Sequence, residues 1–158
     1  MRRLLPLGLL AFCAQESQNC TYERDSAKLG SIASTPNDRD LQRVNRFVNS
    51  AIEPASNGEA SRWSVSYLDE RRIGDCEDYA LEKQKLLEAA GWPRRLLRLA
   101  VVAPAGGLEA HAVLVVSTEE GDVVLDNLRS DIRNWRDTGY VFFKRQSATD
   151  DLTWYSAE

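Results

Sequence analysis

Apolar side chains along this chain follow two different periods, and the period changes near residue 95. Leu41, Val44, Phe47, Val48 and Ile52 recur at intervals that bring them to one side of a helix, so a helix with one buried face is expected here. Asn37 or Asp38 can cap its start, and Pro54 with Asn57-Gly58 stops it. A second helix is predicted from Asp75 or Cys76 to about Ala90, with Tyr79, Ala80, Leu86, Leu87 and Ala90 as its apolar side and Lys83 and Lys85 exposed. Gly91-Trp92-Pro93 ends it in glycine-then-proline order. Beyond it the alternation becomes twofold. Residues 96–103, 110–117, 123–126 and 140–144 are rich in Val, Leu and Phe and are separated by glycine turns, which predicts strands. Residues 59–72 show no clear period and are expected as loop or short helix.

Length and composition narrow the class without naming a chemistry. A chain of 158 residues suits one domain with a single core. With 43% hydrophobic and 28% charged residues it has the composition of an ordinary globular protein. A net charge of −4 argues against nucleic acid or an anionic membrane surface as partner. At the N-terminus, Arg2 and Arg3 followed by the apolar residues 4–12 read as an export signal over residues 1–14, too short to span a bilayer, which places the protein in the periplasm. Residues 15–40 are polar, with a turn cluster at Ser34-Thr35-Pro36-Asn37-Asp38, and read as a lead-in to a domain over residues 41–158.

Three cysteines, Cys13, Cys20 and Cys76, are too few and too unevenly spaced for a disulfide framework or a zinc site. A lone cysteine is more often a small buried hydrophobe than a nucleophile, and Cys13 and Cys20 keep that reading. Cys76 differs because it falls in the first turn of the second helix, where free N–H groups and the helix dipole lower a thiol pKa. The chain has one histidine, His111, at the start of a predicted strand, so one side chain alone can serve as imidazole base. A tight turn at Glu119-Glu120-Gly121 folds that strand back and brings residues near 125–129 beside His111. Asp126 falls in that window and can orient the ring, with Asn127 as second choice because a shift of one residue changes the face.

The runs Gly74-Asp75-Cys76-Glu77-Asp78-Tyr79-Ala80, Leu99-Ala100-Val101-Val102, His111-Ala112-Val113-Leu114 and Val124-Leu125-Asp126-Asn127 resemble, in order, the bacterial transglutaminase-like cysteine proteinases, the family of the LapG-type periplasmic proteases. The likeness extends to Arg43-Val44-Asn45, Val48-Asn49, Asp137-Thr138-Gly139-Tyr140 and Phe143-Lys144-Arg145-Gln146. It implies an α+β fold, papain-like or transglutaminase-like, with a nucleophile at a helix N-terminus packed on an antiparallel sheet that carries His and Asp. It also implies Cys76 as nucleophile, His111 as base and then acid, and Asp126 as orienter. The expected substrate is a protein, for the best-understood members a large surface adhesin cut at a di-alanine site. The expected partner is an inner-membrane cyclic-di-GMP receptor that sequesters the enzyme. Residues 49–68 are compressed relative to the family, and a Trp-x-Thr-Pro-like stretch appears only as Trp63-Ser64-Val65-Ser66.

Asp75, Glu77 and Asp78 crowd carboxylates around the thiol and oppose the helix effect. The resemblance implies that Asp75 and Glu77 hold Ca2+, with no organic cofactor. The bland reading makes Asp75 a helix cap and Glu77 and Asp78 favourable first-turn acids. Two other functions fit the same residues: a transglutaminase-type acyl transferase, and a calcium-dependent binding module with an idle triad.

Overall fold

The computed structural model describes residues 2–3, 37–55 and 73–156. The expectations for residues 4–36 and 59–72, Cys13 and Cys20 among them, lie outside the described residues. The chain runs β1 (Arg2–Arg3), α1 (Asp38–Ala51), β2 (Glu53–Pro54), β3 (Ile73–Gly74), α2 (Cys76–Ala89), β4 (Leu97–Pro104), β5 (His111–Thr118), β6 (Gly121–Leu125), β7 (Arg133–Asn134), β8 (Tyr140–Gln146) and β9 (Trp154–Ser156). Seven strands form one antiparallel sheet in the order β1-β9-β8-β4-β5-β6-β7, and β2 pairs with β3 in a small parallel ladder. Helix and antiparallel sheet are thus combined as an α+β fold.

Each helix has a local reason for its ends. The Asn37 side chain accepts the Arg39 N–H at 3.0 Å, so α1 begins at Asp38, inside the stretch read as lead-in. Helix α2 closes at Gly91, whose φ of +96° is costly for a residue with a Cβ, and Trp92 N–H returns to Leu87 O at 3.0 Å.

The sheet has a core on each face. On the helix side Leu81, Leu87, Trp92, Leu97, Leu99, Leu114, Val116, Leu125 and Trp154 are packed together. On the other, Ala100, Val102, Val113, Val115 and Val124 lie under Trp135, Tyr140 and Phe142. Among the described residues no helix is long and apolar enough to cross a membrane. Leu87→Ala, at a fully buried position, is expected to lower unfolding free energy by about 3 kcal/mol in urea titrations.

Two expectations about the helices change. The buried stripe of α1 is Leu41, Asn45 and Val48, continued by Ile52, whereas Phe47 is 46% exposed. The loop after β6 presents bare backbone carbonyls, and amide donors satisfy them: Asn45 Nδ2 donates to Arg129 O at 3.2 Å, and Asn49 Nδ2 donates to Asp126 O and Arg129 O at 2.9 Å. Lys83, expected in solvent, is fully buried, because α2 is packed between the sheet and α1 and has no solvent side at that turn.

Candidate active site

Asp75 precedes α2 as its N-cap, and Asp78 Oδ2 accepts the Asp75 N–H at 3.1 Å, which fixes the helix start one residue before Cys76. The helix rests on β5, and Cys76 Sγ accepts the Ala112 N–H at 3.4 Å. Cys76 is therefore seated against the residue that follows His111.

The hairpin supplies the rest. Thr118 opposes Gly121 and Leu114 opposes Leu125, so the turn is the two residues Glu119-Glu120. Continuing that register puts Asp126 opposite Val113, diagonal to His111 on the same face. His111 Nε2 lies 2.8 Å from Asp126 Oδ1, which also accepts the Leu128 N–H at 3.0 Å. Tyr140 OH donates to Asp126 Oδ2 at 2.6 Å, and its ring lies 5.8 Å from that of His111, centroid to centroid. Asn127, the second choice, is turned away from these bonds, with its Oδ1 buried and without a hydrogen-bond partner.

Burial alone would push the Asp126 carboxyl up, but hydrogen bonds from His111, Tyr140 and the Leu128 N–H hold it below the ordinary carboxylate range. The Tyr140 phenol is raised by burial and by the Asp126 carboxylate it serves. With Nε2 facing a carboxylate, Nδ1 is the ring nitrogen not engaged by Asp126.

The thiol departs from expectation. A helix start favours thiolate, yet the Cys76 thiol is pushed up to about 12, first by burial and then by the Glu77 carboxylate, with the Ala112 N–H acting the other way. Its Sγ is 3.2 Å from Glu77 Oε2, to which the S–H donates. The Glu77 carboxyl is itself raised, by burial first and then by the Asp75 carboxyl against it. Asp75 Oδ1 is buried with no hydrogen-bond partner. Asp75 and Glu77 are thus two close carboxyls, with Asp75 Oδ1 left without a donor, and carboxylate oxygens of this kind suit a hard divalent cation. Among the described residues no group of three or more His, Cys, Asp or Glu side chains converges as a metal site.

In the sequence Tyr140 stands at a strand start and within the run Asp137-Thr138-Gly139-Tyr140 that resembles the family, and neither gives it a chemical role. Tyr140→Phe keeps the ring and removes the donor to Asp126, and a roughly tenfold fall in hydrolytic rate is expected in steady-state assays, the loss of one hydrogen bond to a charged group.

Comparison with known proteins adds to this geometry. Residues 2–158 match the family model of the bacterial transglutaminase-like cysteine proteinases, BTLCP. The chain belongs to that family. It is a cysteine peptidase of transglutaminase-like fold. Among solved structures it is similar to calcium-bound LapG of Legionella pneumophila, with 29% identity, 79% of this chain and 74% of LapG covered, and a TM-score of 0.64. A further Legionella pneumophila LapG structure aligns at 25% identity over 92% of this chain and 86% of LapG, with a TM-score of 0.60. EGTA-treated LapG, at 23% identity over 98% of this chain and 80% of LapG, shares the fold with a TM-score of 0.62. Comparison with curated proteins gives no match.

Proposed function

We propose that this cysteine peptidase is a periplasmic endopeptidase that uses Cys76, His111 and Asp126 as a catalytic triad to cut a secreted or surface protein. The observation that carries this is the His111 ring, bonded to Asp126 through Nε2 while the next residue, Ala112, holds Cys76 Sγ. His111 Nδ1 takes the thiol proton, and Sγ attacks the scissile carbonyl. The oxyanion accepts from the Cys76 backbone N–H, the first of α2. The imidazolium, held by Asp126, then gives its proton to the leaving amine, and water resolves the thioester.

Asp75 and Glu77 would hold a calcium ion. Bound there, it would neutralise two carboxylates beside Cys76 and draw Glu77 away from the thiol, which makes thiolate accessible near neutral pH. The fit of the two carboxyls supports this, together with the calcium-bound state of a similar LapG. The reading of residues 1–14 as an export signal is the support for a periplasmic setting, and the family resemblance supports a large adhesin as substrate and an inner-membrane cyclic-di-GMP receptor as regulator.

The test compares surface proteins released from cells carrying wild type or Cys76→Ser. A large protein released only by wild type is expected; identical profiles would count against the proposal. In vitro, EGTA is expected to slow iodoacetamide alkylation of Cys76 more than tenfold, and an unchanged rate would remove calcium from the site.

A further inference from the structure

Three carboxamides on one stripe of α1, those of Gln42, Asn45 and Asn49, all donate to the loop that carries Asp126. Gln42 Nε2 reaches Ser130 O at 2.8 Å, and Asn45 Nδ2 reaches Arg129 O at 3.2 Å. Of the three, Asn49 reaches Asp126 itself: its Nδ2 gives one N–H to Asp126 O and the other to Arg129 O, each at 2.9 Å. The position needs such a bond. Asp126 lies one residue past Leu125, the last residue of β6 paired with β5, and two past Val124, the last paired with β7, so neither ladder fixes its backbone. Asn45 Oδ1 and Asn49 Oδ1 are buried with no donor among the described residues, a desolvation cost that an apolar side chain of similar shape would avoid. What the amide offers over such a side chain is its two donors. Helix α1 is also tied to the helix of the nucleophile: Tyr79 OH, one turn after Cys76, donates to Ile52 O at 2.6 Å, and Val48, Ile52 and Tyr79 are packed together.

We propose that Asn49 is a positioning residue of the active site, a bridge across residues 126–129 that fixes the backbone from which the Asp126 carboxylate reaches His111. This rests on the triad reading above. The Asp126 carboxylate lies 2.8 Å from His111 Nε2 and accepts the Leu128 N–H at 3.0 Å and Tyr140 OH at 2.6 Å, so the place of its Cα sets whether these bonds form together. Asn49 holds that backbone from the α1 side, and Tyr79 references α1 to the helix that starts at Cys76. Cys76 and Asp126 thus share one brace. Asn49 acts on His111 through Asp126 alone, and loss of the bridge lets the loop relax, where a displacement of about 1 Å at a catalytic group costs up to about a hundredfold in rate.

Alkylation of Cys76 by iodoacetamide at pH 6, read by mass spectrometry on the full chain, tests this without a peptide substrate. Asn49→Leu, similar in shape and without donors, is expected to slow it about tenfold. Gln42→Leu, which removes an α1 donor that bonds Ser130 O instead, is expected to leave the rate in place. A second readout is one that a loss of stability alone does not move. His111 is the chain's one histidine, so a proton held on Nε2 by Asp126 gives a single ring N–H resonance, downfield of the amides, in the folded protein. That resonance is expected in wild type and in Gln42→Leu, and is expected to be lost to exchange with water in Asn49→Leu. Wild-type rate and resonance in Asn49→Leu would overturn the proposal. An equal loss in Gln42→Leu would overturn it too, since the effect would then be one of loop stability. Asn49→Ser, too short to span both carbonyls, serves if the leucine variant does not fold. His111→Ala separates the two readings. Alkylation of His111→Ala as fast as wild type defeats the triad itself, whereas a slow His111→Ala beside a fast Asn49→Leu defeats only the role of Asn49.

Discussion

His111→Ala is expected to lower peptide hydrolysis by about four orders of magnitude or more, with little change in stability. The thiol explains the size. Burial and the Glu77 carboxylate push Cys76 up to about 12, so without a partner base almost no thiolate exists at neutral pH. In the proposed mechanism the imidazole both removes the thiol proton and returns one to the leaving amine, and loss of a member that acts in concert removes nearly all triad catalysis. Site-resolved mass spectrometry after brief iodoacetamide treatment at pH 6 reports the same dependence free of substrate identity. Labelling of Cys76 should collapse in the variant relative to wild type. Equal, slow labelling of Cys76 in both proteins would mean that the triad is idle.

Asp126→Asn is expected to act on rate and stability together, with a fall of about 10³-fold in rate and about 2–3 kcal/mol in unfolding free energy at pH 7. Asp126 accepts from His111, Tyr140 and the Leu128 N–H while its side chain is 3% exposed, so the carboxylate is bonded on both oxygens in a poorly solvated place. The amide keeps the shape but loses the charge, and its NH2 meets a donor on one side. Because the folded carboxyl lies below its ordinary value, its stabilisation is present above the unfolded pKa near 4 and is lost as pH falls through the folded value. Urea titrations from pH 7 downward should therefore show the gap between wild type and variant closing in acid. A gap that is constant with pH would mean that Asp126 contributes packing alone.

Local pattern determined the elements. The 3.6-residue and twofold periods, the Asn37 cap and the Gly91 stop are properties of neighbouring residues, so they can be read without knowing what α1 or the sheet is packed against. The pairing of His111 with Asp126 was legible for the same reason, since a two-residue hairpin turn fixes which residues face each other. The family likeness then added roles that no periodicity contains.

Tertiary packing decided the electrostatics. Helix position alone argues for an acidic thiol at Cys76, but burial against β5 and the approach of Glu77 reverse the sign. Tyr140 reaches Asp126 because β8, next to β4 in the sheet, starts near the end of β6, a juxtaposition of residues far apart in sequence. Asn45 is buried and Phe47 exposed because the Asp126 loop needs amide donors more than α1 needs another apolar contact. Lys83 shows the division most sharply. A lysine on a helix reads as a solvent-facing charge, and only the placement of α2 between sheet and α1 makes it a buried cation, since desolvation depends on every element around a group and none of that is local.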